Sequence, residues 1–333
     1  MNKSSDNNSS PIKLAGFPRF ALFETDELII LEGACRKFNL PNNAVIYAPR
    51  QSSPYLFLIS CGTVKISRDT PYGEVAFALL RAGDICGEEY FINHSLPSNK
   101  AIITSGVSLY SWETERLTSL FKAEKVLAAK FYWTIWQSLT NRLRIANDWL
   151  WQFFQEQISL SKGSGAREVV ERAFAKEVKV DVDVKIDAFK LKGLSPKEMD
   201  LLTQWGKEHW YQEDSVIFNE GDKGDSLYII LDGSVRISKQ VPGIGEEALA
   251  ILQKGDYFGE MALIDQERRS ATARAHDGSV TLLAISRKDM QEIISSYVDL
   301  AVKFLWIICR ILSDRLENMQ DKICQWKIMA GRF

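Results

Sequence analysis

The chain of 333 residues contains one module written twice, and that duplication limits its possible folds more than any other feature. The run from Leu56 to Ser67 repeats from Leu227 to Ser238 at a spacing of 171. Gly83-Asp84-Ile85-Cys86-Gly87-Glu88 repeats as Gly255-Asp256-Tyr257-Phe258-Gly259-Glu260 at 172, one loop residue having entered between. Lys130 to Leu143 repeats as Lys303 to Leu316 at 173, with Trp133 facing Trp306 and Leu139 facing Leu312 in the alignment. Two modules of this size can each bury a core of their own.

Within a module, short β-rich runs bounded by Gly, Asp, Asn and Pro precede a long helical pattern. In the second copy the strand candidates are Ser215 to Phe218, Leu227 to Leu231, Ser234 to Lys239, Ala248 to Leu252, Ala271 to Ala275 and Val280 to Ser286. Asp232-Gly233 between two β-branched runs predicts a hairpin turn, because glycine carries a positive φ without steric cost. An antiparallel roll or barrel follows. Leu305, Ile308, Leu312, Leu316, Met319, Ile323 and Trp326 are spaced by threes and fours, which predicts one apolar face of a long helix in need of a partner. Ser161-Lys162-Gly163-Ser164-Gly165 reads as a flexible break, and Val178 to Ile186 alternates apolar and charged residues like a half-buried strand. The expected organisation is a disordered segment over 1–12, a first module with its helix over 13–155, a linker over 156–190, and a second module with its helix over 191–333.

Charge and cysteine usage exclude several function classes. Lys plus Arg number 41 and Asp plus Glu 43, so the chain lacks the basic excess of a nucleic-acid binder. Five scattered cysteines with no Cys-x-x-Cys pair suggest neither a disulfide framework nor a zinc site, and buried free thiols are expected. The Ser- and Asn-rich start from Met1 to Ile12 has no apolar core of the signal-peptide kind, and the expectation is a cytoplasmic protein. The apolar windows Phe131 to Thr140 and Phe304 to Leu312 are too short for a membrane span.

Chemistry concentrates in the second module, in the stretch from Phe258 to Thr272. Gly259 permits close backbone approach, the run from Glu260 to Ile264 can form a helical turn whose free N–H groups meet an anion, and Arg269 supplies a planar two-pronged donor to that anion. A carboxylate directly after the glycine would repel a phosphate, so Glu260 is better used accepting from a sugar hydroxyl. The stretch resembles the phosphate-binding cassette of cyclic nucleotide-binding domains, with Phe258-Gly259-Glu260-Met261-Ala262-Leu263 opening it and Arg269-Ser270-Ala271-Thr272 closing it. Val216 to Ile230 is similar to the family's first strands, and the likeness extends over about residues 194 to 320.

The resemblance implies an α+β chain with two eight-stranded antiparallel β-rolls, jelly-roll and cupin-like, each followed by a long helix. It implies a cyclic nucleotide ligand, with Glu260 on the ribose 2′-hydroxyl, Arg269 on the cyclic phosphate, and Gly259, Met261, Ala262 and Ser270 lining the site. Cyclic AMP is favoured over cyclic GMP, being the commoner ligand in similar bacterial proteins. In bacterial members the long helix closes over the purine; here the matching position is Arg315, which either contacts the base or Glu260 or lies on a solvated face. The competing view is an ion pair between Glu260 and Arg269 closing a loop in a roll that has lost its ligand.

The first module keeps Gly87 and Glu88 but continues Glu89-Tyr90-Phe91-Ile92-Asn93-His94-Ser95-Leu96-Pro97-Ser98-Asn99-Lys100. Arg269 aligns with Pro97, which has neither charge nor donor. Glu89 replaces Met261 and adds negative charge, and Tyr90 replaces Ala262 and adds bulk. This copy reads as degenerate unless Lys100 serves as a point charge.

Catalysis has no visible support. His94, His209 and His276 are isolated, which leaves no metal cluster, and no nucleophile with a base or phosphate-cradling glycine loop is present. The aromatic series Phe131, Tyr132, Trp133, Trp136, Trp149, Trp151, Phe153 and Phe154 is expected to pack in a core or between helices, with a partner surface as the alternative. The reading is a sensor or adaptor that signals to an effector protein, with a kinase-type regulatory subunit or a ligand-free scaffold as alternatives. A DNA-binding regulator is disfavoured because only Lys322 to Phe333 follow the helix, too few for a helix-turn-helix domain. The stripe from Leu305 to Trp326 is expected to pack against its mate in a homodimer or to fold back on its own chain.

Overall fold

Both modules run through the same order of elements. The structure, a computed structural model, describes residues 12–158, 175–181, 184–185, 188, 194–241 and 245–329, and over 150–158 the backbone alone. In the first module two 3-10 turns, Leu14–Gly16 and Pro18–Phe20, lead to α1 (Thr25–Gly33), β1 (Cys35–Leu40), β2 (Val45–Tyr47), β3 (Tyr55–Thr70), β4 (Gly73–Leu80), β5 (Ile85–Cys86), α2 (Glu88–Asn93), β6 (Lys100–Glu113), α3 (Thr114–Ala123) and α4 (Lys125–Ile158). After β7 (Lys176–Glu177) the second repeats the series as α5 (Pro196–Trp205), β8 (Lys207–Tyr211), β9 (Val216–Phe218), β10 (Ser226–Val241), β11 (Gly245–Leu252), β12 (Tyr257–Phe258), α6 (Glu260–Asp265), β13 (Thr272–Ser286), α7 (Arg287–Ser296) and α8 (Val298–Met329). By their contacts the residues group into two units, Met1–Ser138 with Cys324–Phe333, and Leu139–Ile323.

The sheets are antiparallel and alike. In the first the order is β1-β6-β3-β4, with β2 on β6 and β5 on β3; in the second β11-β10-β13-β8-β7, with β12 on β10 and β9 on β13. The long strands bend at bulges and so serve two sides of the roll. Counting β3 and β6 as two legs each brings the first sheet to the expected eight, and the second matches it once the linker strand β7 is set apart. The bend replaces the predicted hairpin. Asp232-Gly233 does not reverse the chain but sits inside β10, where Gly233 at φ +83° breaks the register against β13. A Cβ there would stand 2.4 Å from the Ser279 carbonyl oxygen, so glycine serves a close strand approach as well as the positive φ. The turn signal was local, and the pairing partner that overrode it lies some forty residues away.

The two cores repeat residue by residue. Ile59, Val64, Val107 and Leu109 fill the first roll where Ile230, Val235, Val280 and Leu282 fill the second, all buried. Local sequence sets the flanking helices. Ser195 caps α5 in a capping box with Glu198, after which Pro196 supplies a helical φ, and Ser286 caps α7 with Asp289 in the same way. On α8, Leu305, Ile308, Leu312, Leu316 and Ile323 are buried within the single chain, whereas Met319 and Trp326 are only half-buried. The aromatic series on α4 packs as core: Phe131 meets Phe20, Trp112 and Phe121, and Trp133 meets Trp136 at 5.3 Å. Trp149 is half-buried, and the side chains of Trp151, Phe153 and Phe154 lie outside the described residues, as do Ser161 to Gly165 and the segment 1–11.

Two other expectations need correction. Among the described residues the alternating segment Val178 to Ile186 forms no strand of its own; pairing is confined to Lys176 and Glu177 against Trp210 and His209, followed by one bond from Val178 N–H to the Glu208 carbonyl. Burial does alternate over the described start, with Val178 and Val180 half-buried and Lys179 and Asp181 exposed, but residues 184–185 are helical and Lys185 pairs with Glu208. All five cysteines are free, but only Cys86, Cys309 and Cys324 are buried; Cys61 is exposed, and Cys35 is half-buried with its thiol pushed up to about 12 by desolvation. No described helix is long and apolar enough to cross a membrane.

Candidate functional site

The cassette of the second roll is shaped by two left-handed residues around one short helix. β12 ends at Phe258, Gly259 turns the chain at φ +76°, α6 runs from Glu260 to Asp265, and Gln266 reverses it at φ +61°. Arg268, Arg269 and Ser270 then lead into β13. The loop before β10 holds this return segment like a short strand pair: Gly221 N–H donates to the Arg269 carbonyl at 2.9 Å and Arg269 N–H donates to the Asp222 carbonyl at 2.8 Å. Arg268 adds a bond to the Gly221 carbonyl at 2.7 Å, and Thr272 Oγ1 accepts from Glu220 N–H at 3.0 Å.

Arg269 is the centre of the arrangement, and it is 95% buried, leaving 5% exposed. Its guanidinium lies 4.2 Å from the centroid of the Phe218 ring and 5.6 Å from that of Tyr228, and its Nη1 donates to the Gly259 carbonyl at 2.6 Å. Two glycines leave room for it. A Cβ on Gly224 would sit 2.2 Å from Arg269 Nε, and one on Gly259 would sit 2.6 Å from Nη1. Gly224 carries no positive φ, so its absent side chain serves space alone. A cation so enclosed, beside the N-terminal turn of α6, has a geometry in which a planar guanidinium can meet an anion.

Glu260, also buried, is held from α8. Arg315 Nη1 donates to Glu260 Oε1 at 2.9 Å, and Nη2 donates to the Tyr257 carbonyl. Of the positions open to Arg315 in the sequence, the one beside Glu260 is therefore realised. Burial pushes the Tyr257 phenol up, so it stays neutral under Phe304, 5.8 Å away. Lys322 ties α8 further to the roll through the Leu249 carbonyl at 2.7 Å. Ala262 is buried and Met261 half-buried, and Ser270 Oγ lies 3.5 Å from Met261 Sδ. The structure thus brings Gly259, Glu260, Met261, Ala262, Arg269, Ser270 and Arg315 into one site. Glu260 pairs with Arg315 of α8, while Arg269 donates to the Gly259 carbonyl.

Phe218, Tyr228 and Gly224 were missed by sequence reasoning. The two aromatics read there as ordinary strand residues, and their shared approach to one guanidinium needs the fold. Gly224 could have been found in the repeat, because Ser53 stands at its place in the first copy. That equivalence holds in the backbone: Thr114 N–H donates to the Pro54 carbonyl as Arg287 N–H donates to that of Asp225.

The first cassette has the same backbone and different chemistry. Gly87 at φ +87°, α2 and His94 at φ +53° repeat the turn, helix and reversal. Arg50 N–H donates to the Pro97 carbonyl at 2.9 Å, as Gly221 does to Arg269, which fixes Pro97 at the arginine's place; proline lacks the N–H that Arg269 gives to Asp222. Glu88 is buried. Lys100 does not stand in for the arginine. It is on β6, its ammonium 2.6 Å from Asp69 and 3.2 Å from Glu74. The Asp69 contact leads in keeping that ammonium charged.

Among the described residues no three His, Cys, Asp or Glu side chains gather into a metal site. Comparison with known families gives a match to the cyclic nucleotide-binding domain over residues 37–124 and again over 208–297. The cyclic AMP receptor protein of Thermus thermophilus is 40% identical over 97 residues, 29% of this chain and 44% of that protein. Human cGMP-dependent protein kinase 2 is 23% identical over 252 residues, 72% of this chain and 31% of that one. The cAMP-dependent protein kinase regulatory subunit of Debaryomyces hansenii is 30% identical over 142 residues, 43% of this chain and 30% of that one. The chain thus spans less than half the length of each of these relatives. Among solved structures, a cyclic nucleotide-binding domain from Methylobacillus flagellatus aligns at 27% identity and a TM-score of 0.40, over 43% of this chain and 83% of that one. The family match falls on both rolls and covers more than half of the sequence: the chain belongs to the cyclic nucleotide-binding domain family and carries that domain twice.

Proposed function

We propose that the protein is a cyclic nucleotide sensor or adaptor that binds cyclic AMP in its second roll, residues 191–333 with their helix, and passes the signal to an effector protein. The observation that carries the reading is the enclosed guanidinium of Arg269 between Phe218, Gly224 and Gly259. It takes the cyclic phosphate, while Glu260 accepts from the ribose 2′-hydroxyl and Ser270 and the backbone of α6 complete the lining. Cyclic AMP is chosen over cyclic GMP because the Thermus relative matching at 40% identity is a cyclic AMP receptor. The first roll, residues 13–155, is taken as degenerate: Pro97 removes the charge, and Ser53 stands where the second copy has Gly224.

Transmission then runs through Glu260. Arg315 of α8 holds the carboxylate that the ribose must meet, so ligand and helix share one group, and nucleotide can favour one helix arrangement only by its differential affinity. This is binding chemistry in a cytoplasmic protein, without a catalytic step. A homodimer would have to use the outer faces of the long helices, since most of the α8 stripe is already buried in one chain. Calorimetric titration of the full chain with cyclic AMP and cyclic GMP tests the reading. One cyclic AMP per chain is expected; two sites would overturn the degenerate first roll, and none would overturn the sensor. A regulatory subunit of a kinase-like effector is the second reading, favoured by the likeness to cGMP-dependent protein kinase 2 across 72% of the chain. Copurification of a kinase whose activity responds to the nucleotide would select it.

A further inference from the structure

We infer that Arg144, on the long helix of the first copy, is a positioning residue for the nucleotide loop of the second. The inference rests on cyclic nucleotide binding at Arg269. Leu139 onward, α4 belongs to the same unit as the second roll. There Arg144 grips Asp265 with two nitrogens, Nη2 donating to Oδ1 at 2.9 Å and Nε to Oδ2, while Nη1 donates to the Arg268 carbonyl at 3.0 Å. Asp265 is the last residue of α6, and its Oδ1 also accepts from Glu267 N–H at 3.0 Å. One guanidinium therefore ties together the end of α6 and the residue directly before Arg269. Asp148, one turn further along the same face of α4, lies 3.7 Å from Lys239 of β10, a second charged contact to the roll.

The duplication did not create this clamp. At the repeat spacings Arg144 aligns with Glu317 and Asp265 with Asn93, so both partners stand where the copies diverge, and the pair forms only between the helix of one copy and the cassette of the other. A bidentate arginine holds a carboxylate in direction as well as distance, which suits a part that must keep a neighbouring residue in register. The contact touches no atom assigned to the nucleotide, so its effect on binding has to pass through the loop 265–268.

The test is a charge exchange in the full chain, read by calorimetry with cyclic AMP and by amide exchange over residues 266–269 without ligand. Arg144→Ala and Asp265→Asn are each expected to weaken cyclic AMP about three- to tenfold, the range for a partly exposed bidentate pair, and to speed exchange in that loop. The double variant Arg144→Ala with Asp265→Asn should be no weaker than either single one. Arg144→Asp combined with Asp265→Arg should recover much of the affinity that each reversal loses alone. Lys303→Ala, which breaks the ion pair to Glu198 elsewhere in the unit, should leave affinity unchanged. Affinity unmoved or raised in Arg144→Ala, or no recovery in the exchanged pair, overturns the inference. A wild-type chain that binds neither nucleotide overturns the sensor reading instead, so the two failures are distinct. Should Arg144→Asp not fold, Asp265→Asn and its exchange rates decide alone.

Discussion

The two cassettes share a backbone and differ in what that backbone encloses. Each has a left-handed glycine, a six-residue helix, a left-handed reversal and a carbonyl pinned by the loop before the long strand. In the second, the reversal delivers a buried arginine into space left by two glycines; in the first, it delivers a proline, and a serine stands at the place of one of those glycines. Roll architecture is therefore indifferent to the ligand. The core residues that build it repeat faithfully, while the cassette residues at 261, 262 and 269 differ from their counterparts at 89, 90 and 97.

The largest expected break in this comparison is Arg269→Ala. Its two prongs would form charge-assisted hydrogen bonds of about 1.5–3 kcal/mol each, so removal should weaken cyclic AMP by roughly two to four decades in a calorimetric titration. Arg269→Lys should recover little, because an ammonium cannot occupy the stacked planar position over Phe218. Binding unchanged in Arg269→Ala would remove the assigned phosphate contact.

A reciprocal exchange of space should follow, with smaller effects. Gly224→Ser puts the first copy's residue into the second site, where its Cβ meets the guanidinium; the arginine must shift, and a loss of about tenfold is expected, of the order of one mispositioned bond. Conversely, Ser53→Gly with Pro97→Arg, Glu89→Met and Tyr90→Ala rebuilds the first cassette on its existing turn and should raise the stoichiometry from one nucleotide per chain toward two. If Gly224→Ser binds as tightly as wild type, the space argument for the first copy fails.

What the sequence made legible follows from the range of each signal. The repeat, the rolls and the cassette were readable because their residues are contiguous or recur at a constant spacing, as with Phe258 to Leu263 and its counterpart at Cys86 to Phe91. Arg315 could be named but not aimed, since a helix face is ambiguous until its neighbour is known. Phe218 and Tyr228 come from separate strands and converge only in the roll, and Arg144 lies 121 residues from Asp265, with no periodicity to connect them. Asp232-Gly233 misled for the opposite reason: a strong local turn signal was used as a bulge because β13 pairs on both sides of it.

The smallest expected difference between the rolls lies on their outer strands. In the first, Glu74 accepts from Lys65 Nζ at 2.5 Å and Ser67 Oγ at 2.8 Å, with Lys100 at 3.2 Å. In the second, Glu246 stands at the same place in the register and accepts from Ser238, while Thr272 occupies the position of Lys100. The Lys65 bond, ahead of the others, holds the Glu74 carboxyl down at about 2, against an ordinary 4.5. A depressed carboxyl stabilises the fold fully above its unfolded value and loses that contribution as pH falls through its folded one. Glu74→Gln should therefore lower the melting temperature by a few degrees at most at neutral pH, the scale of a solvent-screened pair worth about 1 kcal/mol or less. The gap to wild type should narrow as pH is lowered from 4.5 toward 2, and Glu246→Gln should lack this lysine-dependent profile. A gap that stays constant over that interval in thermal melts would mean that Glu74 stabilises the first roll by packing and hydrogen-bond geometry, with its charge contributing nothing.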